Sequence, residues 1–446
     1  MSWLHTVRGA LCAACIGVWA CTAPGPVELV AVPFAPDTGT VALRCGSLID
    51  GSSNEALRDA SVLIVDGRIA RVGAGVRAPR DVSLLDLSGY TCLPGLIDMH
   101  THIVDRPGDT ADLSVFYRRT LEDQVAFGRE NARATLLAGF TSVRDVGTYV
   151  AWADRALRDE IDAGRAIGPR IQAAGFYLTI PGGGGDLVIP GHAESEIPQQ
   201  LRMGVARGRA EFRRKAEEAV AGGADVLKVI ASGAVLAYGG VPGEPEMTPE
   251  EIAAVVEVAH AANRRVAAHA HGARSIREAI GAGADTIEHA SLIDDEGVAL
   301  ARERGVALSM DVYNGDYIDS EGRAQGWPEE FLRKNVETTE AQRQGFTRAH
   351  RAGVDIVFGT DAAVYPHGLN ARQFPIMVER GMSPMEAIQS ATSVAARYMG
   401  RADQVGRIAP GCYGDVIAVR DDPLVDIRAL GNVAIVIKGG LAFKLP

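Results

Sequence analysis

The sequence predicts an α/β fold, a (β/α)₈ barrel of the TIM type with a small β-sandwich built from both chain ends. Three observations predict it. A helix–Gly–strand unit recurs in the centre, at Ala138-Gly139-Phe140-Thr141, Gly222-Gly223-Ala224-Asp225, Ala282-Gly283-Ala284-Asp285 and Ala352-Gly353-Val354-Asp355. Both ends read as short strands joined by turns. The 446 residues exceed one small domain yet suit a barrel of about 250 residues or more plus an accessory unit.

In each central unit Gly supplies the left-handed stop of a helix, and the β-branched run after it reads as a buried parallel strand. Repeated units of this kind make a barrel or a doubly wound sheet. Helix starts fit the pattern. Thr248-Pro249-Glu250-Glu251 places a capping hydroxyl, a Pro at the first helical position and an acid at the third. Ser275 to Glu278 is expected to repeat that capping box, and His260, near the end of the first of these helices, to be solvated. At the N-terminal side, residues 41–45, 60–65, 69–72 and 83–87 read as strands, with Asp66-Gly67 a hairpin turn. Residues 415–420, 433–438 and 441–444 have the same character. The expected division is 41–91 and 405–446 for the two parts of the sandwich and 92–404 for the barrel.

The first residues differ from the rest. A cation-bearing start and a short apolar run of small residues from Gly9 to Ala20 form a secretory signal, too short to span a bilayer. Residues 1–21 are therefore read as a signal peptide, 22–40 as a linker, and the protein as exported, to the periplasm or the membrane surface. Val18-Trp19-Ala20-Cys21 resembles a lipoprotein cleavage box, which implies membrane anchoring through a lipidated Cys21; ordinary cleavage nearby is the alternative. Of six cysteines, Cys12 and Cys15 lie in the signal, leaving Cys45, Cys92 and Cys412 for the mature fold. These are expected as buried thiols, although export permits a disulfide among them. Net charge is −11 with no long Lys/Arg run, which argues against a nucleic-acid groove or an anionic membrane surface as partner.

The chemistry is expected where polar residues interrupt the strands. Asp145, Lys228, His289 and Asp361 each follow a repeat Gly by five to eight residues, near the C-terminal strand ends that form the active face of a barrel. His100-Thr101-His102 ends the strand 93–99. Residues two apart share one side of a strand, with Cα atoms roughly 6–7 Å apart, so both imidazoles can converge on one metal. Lys228 sits in Val226-Leu227-Lys228-Val229-Ile230, where a bare ammonium is costly to bury. Burial would make it nucleophilic, able to take up carbon dioxide as a carbamate that bridges two cations. His269 and His271 again share a face; the first is the expected metal ligand, the second a substrate contact or an orienting group. Asp361 can bind a metal and accept a proton from water.

Together, Leu93-Pro94-Gly95-Leu96-Ile97-Asp98-Met99-His100-Thr101-His102, the strand lysine, the later histidines and Gly359-Thr360-Asp361 resemble the amidohydrolase superfamily. His269-Ala270-His271-Gly272 and the run from Gly359 to Gly368 resemble more closely its branch of imidazolonepropionase-like and prolidase-like enzymes, the Xaa-Pro or Xaa-Arg/Lys dipeptidases and ochratoxin-type amidases. The resemblance implies two divalent metal ions, usually zinc. His100, His102 and Asp361 would hold the more buried ion, His269 and His289 the other, with carboxylated Lys228 bridging. It further implies that Tyr238 binds the substrate carboxylate, and that relatives assemble, so a homo-oligomer is expected. Where relatives carry Gly-Gly-His, this chain has Pro181-Gly182-Gly183-Gly184-Gly185-Asp186; His192 or Arg144 is the expected compensation. The implied activity is hydrolysis of dipeptides or N-acyl amino acids at the C-terminal residue, with Asp361 shuttling the proton. A cyclic amidase of imidazolonepropionase type is the alternative enzyme, against which Lys228 speaks, and an exported binding lipoprotein is the non-catalytic alternative.

Overall fold

The computed structural model describes residues 38–446. The expected signal peptide, Cys21 and nearly all of the expected linker lie outside the described residues.

Both chain ends form one seven-stranded sheet, in the order Leu441–Lys444, Ile435–Lys438, Val416–Val419, Leu84–Pro94, Val41–Leu48, Leu57–Val65 and Arg68–Ala74. The strand Leu84–Pro94 joins them, parallel to Val41–Leu48 on one side and antiparallel to Val416–Val419 on the other. The sheet curls until its edges meet. Gly67 N donates to Gly39 O and Gly414 N to Gly67 O, so Ile64 and Ile69 from one edge share a core with Val416 and Ile437 from the other. The Asp66-Gly67 turn has φ of 48° and 74°, the left-handed pair that a two-residue hairpin turn requires. Two of the three expected thiols are oxidised: Cys45 and Cys92 form a disulfide between neighbouring strands, and Cys412 stays a buried thiol.

The centre is the barrel. Its strands run in parallel from Leu96–Thr101 through Phe140–Asp145 to Arg170–Ala173, which continues after a break at Gly175 as Tyr177–Leu178. Val226–Ile230, Arg265–Ala270, Thr286–His289, Ala307–Ser309 and Ile356–Val357 follow in hydrogen-bonded order. Bonds from Met99 N to Phe358 O, Asp361 N to His100 O and His102 N to Ala362 O join the eighth strand to the first. The repeat works as expected: helices Leu121–Leu137, Gly208–Ala221, Ala273–Gly281 and Glu329–Arg351 are followed by Gly139, Gly223, Gly283 and Gly353 with φ of 98°, 90°, 98° and 77°. Strand residues such as Leu227, Val229, Ala268 and Ile287 point outward and pack on Ile252 and Val255 of the helix Pro249–Ala261 and Ile276 of the helix Ala273–Gly281, all buried.

Thr248 caps the helix Pro249–Ala261 with the expected reciprocal box. The second expected box is absent. The helix Ala273–Gly281 starts before Ser275, whose hydroxyl donates back to Gly272 O. His260 is exposed as expected, and pairs with Asp285 at 2.9 Å. One glycine decides how the two parts of the molecule meet. Gly95, the single residue between Leu84–Pro94 and Leu96–Thr101, donates to Asp415 O, and a Cβ there would lie 2.0 Å from Thr141 Oγ1. No larger residue fits that crossing.

Candidate metal centre

Every expected ligand reaches one cavity at the C-terminal mouth of the barrel, lined by His100, His102, Lys228, His269, His289 and Asp361. His100 and His102 leave the first strand with ring centroids 5.4 Å apart. His289 stands 4.8 Å from His100 and 4.5 Å from His269. Asp361 Oδ1 lies 3.4 Å from His100 Nε2 and 3.1 Å from His102 Nε2. Strand alternation alone does not aim all of these groups. His289 and Asp361 have φ of 67° and 56°, a left-handed backbone that costs of order 1 kcal/mol or more at a non-glycine residue and clusters at functional sites. His271 joins them, stacked on His289 at 4.7 Å, and its donor atom lies within 4.8 Å of those of His269 and His289. It is thus a candidate third imidazole on that side, with Nδ1 held by Ser291 Oγ at 2.8 Å.

The residues fit divalent cations. Lys228 Nζ and His100 Nε2 are buried without a hydrogen-bond partner, and orphaned buried donors or acceptors of this kind call for a partner of another sort. Burial pushes the Lys228 ammonium down to about 8, with Arg144 adding to that and Glu288 and Asp361 opposing it. Burial likewise holds His269 and His271 far below the ordinary imidazole range, so both are neutral donors near pH 7. Burial resists a charge on His102, yet Asp361, Asp145 and Asp105 raise it to about 9. Asp361 is held well below the carboxylate range by His100 and His102, against its own burial.

Residues 91–442 match the amidohydrolase family. The chain belongs to that family. It is a hydrolase acting on amide bonds. It is 31% identical to ochratoxinase of Aspergillus niger over 459 aligned positions, covering 97% of this chain and 93% of the relative. A solved Xaa-Pro dipeptidase with bound methionine in its active site is 34% identical with a TM-score of 0.84, covering 91% of this chain and 100% of the other. A prolidase complexed with N-methylphosphonate-L-proline is 29% identical, with a TM-score of 0.85 and the same coverage.

Around the amidohydrolase site stands a layer of buried groups that orient the ligands, and the sequence reading did not assign them. Glu288 Oε2 accepts from His100 Nδ1 at 2.9 Å, and Glu288 Oε1 pairs with Arg144 at 2.7 Å. Asp311 takes His289 Nδ1 at 3.0 Å and is itself held by Gln342 and Asn314. Asp98 receives the backbone N–H groups of His100 and Thr360, tying the first strand to the last. A charged residue inside a buried strand demands a partner; Arg144 after Val143 and Glu288 after Ile287, each charged within a strand, are the signal that could have pointed to this layer.

Three expected substrate contacts are not brought to the cavity. Arg144 is 1% exposed and spends its guanidinium on Met99 O, Thr286 and Glu288 inside the barrel. His192 is exposed, pairs with Glu196 and does not line the cavity. Tyr238 tilts against Phe331, ring centroids 4.9 Å apart, while its neighbours Ala234, Val235 and Leu236 line the cavity in its place. The glycine run has a packing reason. Gly184 N donates to Glu246, and a Cβ on Gly183 would lie 2.6 Å from the same carboxylate. The loop therefore reaches the cavity as bare backbone.

Proposed function

We propose that this amidohydrolase is an exported binuclear-metal enzyme that cleaves dipeptides or N-acyl amino acids and releases the C-terminal amino acid. The observation that carries the reading is Lys228: an amine 2% exposed, unpartnered, and set among five imidazoles and Asp361 in one cavity. Held down to about 8, a share of it is the free amine near neutral pH. That amine adds to carbon dioxide, forming an N–C bond and releasing a proton, and the resulting carbamate is an anionic two-oxygen ligand.

His100, His102 and Asp361 would hold one ion and His269 and His289 the other, with the Lys228 carbamate between them. Zinc suits such imidazole and carboxylate donors. When bound, the two cations supply the Lewis acidity that ionises water near neutral pH and polarises the scissile carbonyl. Asp361 takes the proton of the attacking water and passes it to the departing nitrogen; its second oxygen is steadied by Asn314 at 3.1 Å. His271, with Nδ1 on Ser291, keeps its other ring nitrogen for the cavity.

The cavity encloses about 1130 Å³ including its open mouth, room for a small molecule. Leu113, Phe116, Ile230, Val235, Leu236 and Val364 give it an apolar wall suited to an acyl or side-chain group. The methionine bound in one neighbour's active site and the substituted proline bound to another favour an amino acid as the leaving half. The Cys45–Cys92 disulfide supports export, since such bonds persist in oxidising compartments. The test is zinc-loaded protein against a panel of dipeptides and N-acyl amino acids, read as free amino acid. Release from carboxylate-bearing substrates is expected; no release from any member of the panel removes the reading.

A further inference from the structure

A substrate with a free carboxylate needs a cationic receptor, and the three residues expected to help provide one lie elsewhere. Among the described residues two lysine or arginine side chains line the cavity, the buried Lys228 and Arg106. We propose that Arg106 binds the substrate's free carboxylate and so selects amides whose leaving group is an amino acid; this rests on the functional reading above.

Arg106 lies four residues beyond His102 on a loop whose backbone is tied down. Asn131 Nδ2 donates to both Ile103 O and Asp105 O at 2.9 Å, and Arg106 O accepts from Asp109 N. The base of the side chain is fixed while its head is uncommitted. Among the described residues its guanidinium has no ion pair or hydrogen bond, and rests 4.4 Å from the centroid of Phe127. The cavity acids beside it are already engaged, and Glu130, which lines the adjoining hollow, is not within ion-pair distance of it. Asp109 is bound by both terminal nitrogens of Arg119, and Asp105 accepts from Gln124 and Thr148. The remaining cavity acids, Asp311 and Asp361, face the imidazoles.

An exposed cation over a ring is held more weakly than a guanidinium on a carboxylate, which can take two parallel hydrogen bonds. Phe127 therefore acts as a rest from which Arg106 turns to an arriving anion. Arg106 lines both the metal cavity and the adjoining hollow formed with Phe127, Glu130 and His367, so it stands on the border between the two. The flexible stem lets one cation serve leaving groups of different bulk.

The experiment compares N-acyl amino acids with their C-terminal carboxamides, as kcat/KM for wild type, Arg106→Ala and Arg106→Lys, all zinc-loaded. Wild type should prefer the acid, and Arg106→Ala should reduce the acid-to-carboxamide ratio by about tenfold or more, chiefly through KM. Arg106→Lys should fall between, because a point charge keeps attraction without the paired geometry. A wild type indifferent to the carboxylate, or a ratio unchanged in Arg106→Ala, overturns the proposal while leaving amide hydrolysis standing. Wild type inactive on both series overturns the functional reading itself, and this proposal with it.

Discussion

Replacing Glu288 separates two roles that the fold combines. Its carboxylate, fully buried, faces Arg144 at 2.7 Å and His100 Nδ1 at 2.9 Å. As the acceptor for Nδ1–H it selects the tautomer whose Nε2 lone pair points into the site. Glu288→Gln removes the charge and leaves the Arg144 guanidinium buried without a counter-ion. Breaking a buried pair from one side costs about 3–5 kcal/mol, a large part of the roughly 5–15 kcal/mol by which domains are stable. The double variant Arg144→Met, Glu288→Met removes both charges at similar volume, and such replacements are often neutral or better. Urea unfolding should therefore show a large loss in the single variant and recovery in the double. Zinc affinity, measured by chelator competition, should behave differently: His100 lacks its acceptor in the double variant, and losing such a partner costs about 10–100-fold. If the double variant regains zinc affinity together with stability, Glu288 is only a counter-ion for Arg144, and the tautomer argument is wrong.

Lys228→Met replaces an unpartnered buried amine with an apolar side chain of similar length, so the metal-free protein should unfold at an equal or higher urea concentration. Metal content per chain should fall below two and activity with it; full retention of both would end the bridging role. His367 is buried and pushed down to about 4 from an ordinary value of 6.5. The unfolded chain thus binds that proton first, and stability is complete above about pH 6.5 and lost as pH falls towards 4, by about 3 kcal/mol at most. His367→Asn should flatten that acid limb in unfolding curves taken between pH 7 and 4, and an unchanged slope would contradict the assignment. The Cys45–Cys92 bond closes a separation of 47 residues, so a Cys45→Ala, Cys92→Ala variant should lose about 4 kcal/mol by chain entropy, measured as a lower denaturant midpoint with metal content unchanged.

How far the sequence could be read depended on whether a residue's role follows from its strand. Lys228, His289 and Asp361 were legible because each breaks an apolar run near the end of a strand announced by the repeat, and His100, His102 and His269 because paired histidines two apart end an apolar strand; a barrel sends those ends to one face. Glu288 was not. Thr286 and Glu288 point inward together and meet Arg144, whereas simple alternation would send His289 outward with Ile287; the left-handed turn of His289 brings it back to the mouth, and no residue pattern announces that turn. The disulfide was hidden in a similar way. Cys45 lies opposite Leu87 and Cys92 opposite Leu48, because the register slips between Cys45 and Ser47. Tyr238, His192 and the glycine loop belong to connections, whose course is decided by what they pack against, Phe331 and Glu246 here. Even the misplaced helix start at Ser275 has this origin. A Cβ on Gly272 would lie 2.1 Å from Gly243 O, so a neighbouring loop pins the strand-to-helix turn at Gly272, and the helix begins there whatever Ser275 and Glu278 would favour alone.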